Sequence, residues 1–157
     1  MIIVKMADCA VAKSPENLKT MSLGSCVGVT LYDPTRKLGG LIHAMLPSSE
    51  NARNTSNYAK FVDLGIPYLV DEMAKYGAAK RRLEAKLVGG ADMFSMGNNG
   101  TINVGKNNIE KVKQVLSNME IPIVAEETGG NHGRTTILDT SDGTVFIKSV
   151  KYGNTTI

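Results

Sequence analysis

Aromatic residues are scarce in this chain of 157 residues, which has no tryptophan, three phenylalanines and five tyrosines. No stretch concentrates Lys and Arg, although the net charge is +3. Without basic blocks or interleaved aromatics the sequence offers little to nucleic acid, and the mild basicity reads as a solvated surface that favours an acidic partner. No apolar run reaches the length needed to span a bilayer. Two cysteines, Cys9 and Cys26, make no disulfide framework, and their spacing matches no metal motif. The start, Met1-Ile2-Ile3-Val4-Lys5-Met6-Ala7-Asp8, lacks a basic region followed by a long apolar core and reads as a first strand rather than an export signal. The expected compartment is therefore the cytoplasm, with both thiols reduced. There is no internal repeat, low-complexity tract or dividing linker. Residues 1–157 read as one domain, large enough to bury ~70% of the surface of its unfolded chain.

What is present is strand pattern with two helical stretches. Strand character covers residues 2–12 and 18–22. Cys26-Val27-Gly28-Val29-Thr30-Leu31-Tyr32 and Leu38-Gly39-Gly40-Leu41-Ile42-His43-Ala44-Met45 form the arms of a hairpin around Asp33-Pro34-Thr35-Arg36-Lys37. Residues 47–57 are polar and read as a mobile loop placed to line or cover a cleft beside His43. A helix follows with Tyr58, Phe61, Val62, Gly65, Leu69, Met73 and Tyr76 on one side; Pro67 is expected to kink or restart it and Gly77 to end it. Residues 82–88 alternate like a strand. A second helix is expected over 108–118, with Asn107 as N-cap and Glu110 completing a capping box. Strands return at 121–125, 134–140 and 144–151. The fold class is α/β of the α+β type: a mixed, largely antiparallel β-sheet core with two main helices packed on it.

The chemistry concentrates in the hairpin. If Asp33 and Arg36 flank its turn, Cys26 faces His43, with Cβ atoms ~5 Å apart. A thiol and an imidazole so placed form a nucleophile and its base. Free cysteine is commonly a buried apolar residue, and that reading stands for Cys9. Cys26 differs, because Gly24 and Ser25 precede it and let backbone N–H groups point at a developing oxyanion. Thr20, on the strand leading into this turn, is a candidate to orient the imidazole. His132 lies in a glycine-rich loop that lacks the strand-to-helix context and lysine of a nucleotide loop; it reads as a turn shaping the site wall. Glu126 and Glu127 read as ordinary surface or loop carboxylates.

At these residues the chain resembles the chemoreceptor glutamine deamidase family CheD. The resemblance is carried by Thr20-Met21-Ser22-Leu23-Gly24-Ser25-Cys26-Val27, Gly40-Leu41-Ile42-His43-Ala44-Met45-Leu46-Pro47, and the stretch from Arg82 through Gly89-Gly90-Ala91-Asp92-Met93-Phe94. Asn103-Val104-Gly105 and Ala125-Glu126-Glu127-Thr128-Gly129-Gly130-Asn131 continue it in the same order. The chain departs from the family pattern at Lys106-Asn107-Asn108, where members often carry Arg before the second Asn. The resemblance implies a Cys-His-Thr triad at Cys26, His43 and Thr20, a cysteine-deamidase-like fold, and no metal or organic cofactor. It further implies hydrolysis of glutamine side chains, through a thioester, on the cytoplasmic helical bundle of methyl-accepting chemotaxis receptors, with glutamyl methyl esters as a further substrate. The expected activated form is a thiolate paired with the His43 imidazolium. The phosphatase CheC is the implied second partner, as a substrate mimic in the cleft. Two rivals stand beside this reading: a regulatory binding module whose hydrolysis is secondary, and a cysteine peptidase or transglutaminase sharing the thioester.

Overall fold

The computed structural model describes residues 1–93 and 103–157. Phe94, the last residue of its matching segment, lies outside the described residues. Two five-stranded sheets make up the core. Strands β1 (Ile2–Ile3), β3 (Leu18–Leu23), β8 (Arg134–Leu138), β9 (Val145–Ser149) and β10 (Gly153–Thr156) lie side by side in that order in one sheet. The other holds β2 (Asp8–Lys13), β5 (Leu38–Ala44), β4 (Val27–Asp33), β6 (Glu84–Gly89) and β7 (Ile123–Thr128), again in spatial order. Pairing is antiparallel except for β1 with β3 and β6 with β7, so the expected mixed, largely antiparallel core is present, divided between two sheets.

Helices α1 (Val62–Lys75) and α2 (Val104–Asn118) cover the second sheet on its far side. One apolar cluster joins Val27, Val29, Leu31, Ile42 and Ala44 to Ile66, Leu69, Met73, Val112 and Leu116 of the helices. A second lies between the sheets and contains Cys26 and Leu41 with Leu18, Leu23, Leu138 and Ile147. The central arms β4 and β5 are therefore buried at every residue. That is why both read as near-continuous apolar runs, whereas β8 and β9, covered on one face, alternate. Glycine lets the layers close up: a Cβ on Gly39 would lie 2.6 Å from Leu138, and one on Gly40 2.7 Å from the Met73 sulfur.

Several boundaries differ from the sequence reading, each for a physical reason. Strand character over 2–12 is cut at Ala7, whose φ of 59° sends β1 and β2 into different sheets. Phe61 is extended, separating a 3-10 turn (Tyr58–Lys60) from α1, which then runs through Pro67 without restarting. Gly77, with φ of 101°, ends α1 as expected; the Gly77 and Ala78 N–H groups close onto the Ala74 and Met73 carbonyls in a Schellman arrangement. Tyr76 is exposed rather than on the buried side. The second helix starts at Val104, capped by Asn103, whose side chain accepts the Lys106 N–H at 2.9 Å; Asn107 is a helical residue, not the cap. Gly105 obscures this start because it is a poor helix former, yet a Cβ there would lie 2.2 Å from the Ala91 carbonyl oxygen. β10 is exposed throughout and carries no apolar alternation, so only its pairing with β9 reveals it.

Candidate active site

The hairpin turn sets which residues of β4 and β5 meet. Asp33 stands opposite Leu38, closing a connection of residues 34–37, because its Oδ1 accepts the Thr35 and Arg36 N–H groups. Its carboxyl also receives the Arg82 guanidinium and the Ala79 N–H. Gly28 therefore faces His43, and the expected Cys26–His43 register is displaced by two residues. A shift of two preserves the face, since side chains alternate with a period of two. Cys26, just before the first residue of β4, lies on the same inter-sheet side as Leu41, and His43 follows Leu41 by two. The pair is diagonal rather than directly opposite, a spacing of roughly 7 Å between backbones.

Thr20 reaches His43 from the other sheet. Its Oγ1 lies 2.7 Å from His43 Nδ1 and donates its one hydrogen to the Val4 carbonyl, 2.6 Å away. A hydroxyl has one proton to give; with that proton on Val4, Oγ1 accepts from Nδ1–H. The tautomer follows: Nδ1 carries the proton and Nε2 keeps a lone pair. His43 Nε2 is buried and has no hydrogen-bond partner. Nothing in the sequence pointed to Val4, because its part is played by a backbone carbonyl.

Burial governs the charge state. It pushes the Cys26 thiol up from its ordinary value, opposed by the residue's own backbone N–H, and it pushes the His43 imidazole down. Both shifts favour a neutral thiol beside a neutral imidazole, so the expected resting thiolate–imidazolium pair is not what this environment stabilises. A neutral imidazole with a free lone pair is the competent form of a general base.

The segment carrying Cys26 is held by three successive carbonyls. Gly24 O accepts the Ala91 N–H at 2.9 Å, Cys26 O accepts the Gly90 N–H at 2.8 Å, and Ser25 O accepts the Asn108 Nδ2 at 2.9 Å. Gly89 and Gly90 have φ of 100° and 66°, and a Cβ on Gly89 would meet Cys26 O at 2.8 Å. The glycine pair after β6 thus lets one chain segment lie against the other. Met93 packs on Gly24, where a Cβ would be 3.3 Å from its Cγ. The glycine-rich turn joins the same wall, as expected: Gly129 N–H donates to Gly89 O, and Gly130 O accepts the Asp92 N–H.

Other candidates separate cleanly. Cys9 pairs with Ile42 on the opposite edge of β5 and packs against the helix-side cluster. His132 sits edge-on to Tyr152, 4.6 Å between ring centres. Glu127 is not an ordinary surface group, because it takes the buried Arg134 guanidinium through Nε at 2.5 Å and Nη2 at 3.1 Å, tying β7 of one sheet to β8 of the other. The loop after β5 is anchored where Ser49 bonds Asp63. Among the described residues no group of three His, Cys, Asp or Glu side chains is placed to hold a metal ion. No helix among them is long and apolar enough to cross a membrane.

A family model for CheD, chemotactic sensory transduction, matches residues 45–149. The chain belongs to the CheD family. That match begins beyond Thr20, Cys26 and His43, but CheD relatives extend across them. A probable chemoreceptor glutamine deamidase CheD 1 of Methanosarcina acetivorans is 47% identical over 99% of this chain and 96% of its own. A probable chemoreceptor glutamine deamidase CheD of Desulforamulus reducens is 51% identical over 95% of this chain and 90% of its own. Its counterpart in Caldanaerobacter subterraneus is 50% identical over 96% and 93%. Among solved structures, the hypothetical protein YfiH of Bacillus licheniformis is similar with a TM-score of 0.50 and 19% identity. That likeness covers 79% of this chain and 51% of the YfiH chain, and it bears on the fold alone.

Proposed function

We propose that this CheD-family chain is a cysteine-dependent protein-glutamine deamidase that acts on the cytoplasmic helical bundle of chemoreceptors. One observation carries the reading: the Thr20 hydroxyl, spent on Val4, fixes His43 with its proton on Nδ1 and a free lone pair on Nε2, on the side of β5 that holds Cys26. In the first step Nε2 takes the Cys26 proton as the sulfur attacks the glutamine side-chain carbonyl carbon. The oxyanion that forms is met by backbone N–H donors, first that of Cys26. His43 returns the proton to the departing nitrogen, the C–N bond breaks, and ammonia leaves a glutamyl thioester. Water, deprotonated by the same imidazole, adds to the thioester; the C–S bond breaks, and glutamate and the thiol are released. Proton transfer during attack suits a thiol and an imidazole that burial keeps neutral at rest. A glutamyl methyl ester enters by the same steps, with methanol leaving in place of ammonia.

The reading places the chain in the cytoplasm with its substrate, and it makes CheC a partner that occupies the same cleft. The test is incubation with receptor cytoplasmic fragments, followed by peptide mass mapping. The expected result is Gln-to-Glu conversion with ammonia release and an uncut backbone, both lost in Cys26→Ala, which still binds CheC. A shortened fragment would make the protein a peptidase, and incorporation of an added amine would make it a transglutaminase. CheC binding without any Gln-to-Glu change would leave only a regulatory module.

A further inference from the structure

Asn108 is fully buried on α2, and the triad does not use it. Its Nδ2 donates twice, to Ser25 O at 2.9 Å and to Met45 O at 3.0 Å. Ser25 precedes the nucleophile, and Met45 lies one residue past the last rung of the β4–β5 ladder, where Val27 pairs with Ala44. Asn108 therefore closes the open end of the hairpin at Cys26, where no ladder hydrogen bond remains to do so. Its Oδ1 is buried without a partner. The amide orientation is nevertheless fixed, because two carbonyl acceptors can face only the NH2 end. An asparagine that leaves half its polar capacity unused in a buried site is placed for its other half.

The consequence lies in one peptide plane. Ser25 C=O and Cys26 N–H belong to the same peptide unit, and in a trans peptide they point in opposite directions. Holding the carbonyl on Asn108 turns the Cys26 N–H away from α2. That N–H favours the anionic form of the Cys26 thiol. We propose that Asn108 is a positioning residue: it sets the Ser25–Cys26 peptide so that the Cys26 N–H meets the oxyanion formed when the sulfur attacks an acyl carbon. This deepens the deamidase reading, since it assigns an oxyanion donor to the same site.

The test separates acyl transfer from mere thiol reactivity. Acylation of Cys26 by p-nitrophenyl acetate passes through an oxyanion, whereas alkylation by iodoacetamide needs the thiol and His43 but no oxyanion donor. Both rates are measured in a Cys9→Ala background, with and without Asn108→Ala, alongside kcat and KM on a receptor fragment. The expected result is a fall of about 100-fold in kcat, the usual loss for one oxyanion donor, with KM within twofold. The acylation rate falls with kcat, while the alkylation rate falls no more than a few-fold, as expected when the thiol anion gives up only its own N–H. A parallel fall in alkylation, or an unchanged acylation rate, overturns the proposal. The acylation-to-alkylation ratio reads Asn108 even if no receptor fragment proves to be a substrate, so failure of the deamidase reading is seen separately. A measurement on the otherwise unaltered protein covers an Asn108→Ala variant that fails to fold: acetylating Cys26 should move its amide proton downfield as the thioester oxygen engages it. An unmoved amide proton overturns the proposal as well.

Discussion

Cys9 and Cys26 lie on opposite sides of one strand, and their difference shows what makes a thiol usable. Both are free and at least half buried. Burial raises both above the ordinary thiol range, Cys9 to about 11, where Asp8 and Glu72 add to the effect. Cys9 pairs with Ile42 and packs toward the helices. Cys26 falls on the inter-sheet side, with His43, Thr20 and a carbonyl-pinned backbone. Burial raises both thiols, so a lowered pKa marks neither as usable; what sets Cys26 beside His43 is the side of β5. In the proposed mechanism a lone pair held in place on that side takes the thiol proton at the moment of attack, so no standing thiolate is needed.

The sharpest break of this comparison is in activity. Cys26→Ala should lower ammonia release from a receptor fragment by about 10⁴-fold, the scale seen when one member of a catalytic triad is removed. Cys9→Ala should leave the rate within twofold. Comparable losses in the two variants would mean that the side of β5 decides nothing. Next comes Thr20→Val, which keeps the branched shape and removes the hydroxyl that joins Val4 O to His43 Nδ1. The imidazole then loses the group that fixes its tautomer, and kcat should fall by roughly 100-fold, within the range typical of general-base catalysis. Thr20→Ser restores the hydroxyl and should recover most of the rate. If Val and Ser behave alike, Thr20 is only packing.

The sequence carried the fold class, and of the three residues it singled out the structure joins Thr20 and His43 by a hydrogen bond. Cys26 and His43 stood out because they flank one apolar hairpin, where alternation fixes a face even when the register is off by two; Thr20 was carried by its place on the strand before Cys26 and by the family motif. The register itself turned on Asp33, whose buried carboxyl collects the Thr35, Arg36 and Ala79 N–H groups and the Arg82 guanidinium. Half of that set lies some fifty residues away along the chain, beyond any local pattern. Splitting the strands into two sheets was equally hidden, since one residue with positive φ, Ala7, separates β1 from β2. Asn108 and Val4 were missed because they act on or through backbone carbonyls, which no residue type advertises. Glu127 was misread for want of its partner Arg134, which stands on the other sheet.

The smallest expected effect is the most discriminating, because it compares the two thiols in one tube. At pH 8 a thiol raised to about 11 is ionised in roughly one molecule in a thousand, so Cys9 should react slowly with iodoacetamide. Cys26 is also raised by burial, but its own N–H favours the anion, and in the proposed mechanism His43 Nε2 takes its proton. Peptide mapping should show Cys26 alkylated several-fold faster than Cys9. Both rates should climb as pH rises past the usual thiol midpoint. The sign for the base is opposite. Burial lowers His43, so the imidazole stays neutral, and able to accept a proton, as pH falls below the ordinary histidine range near ~6.5. The acid limb of kcat should therefore lie below that range rather than within it. His43→Gln removes the acceptor and should erase the lead of Cys26 over Cys9. If the lead survives that change, the selectivity comes from access alone, and the lone pair on Nε2 plays no part in it.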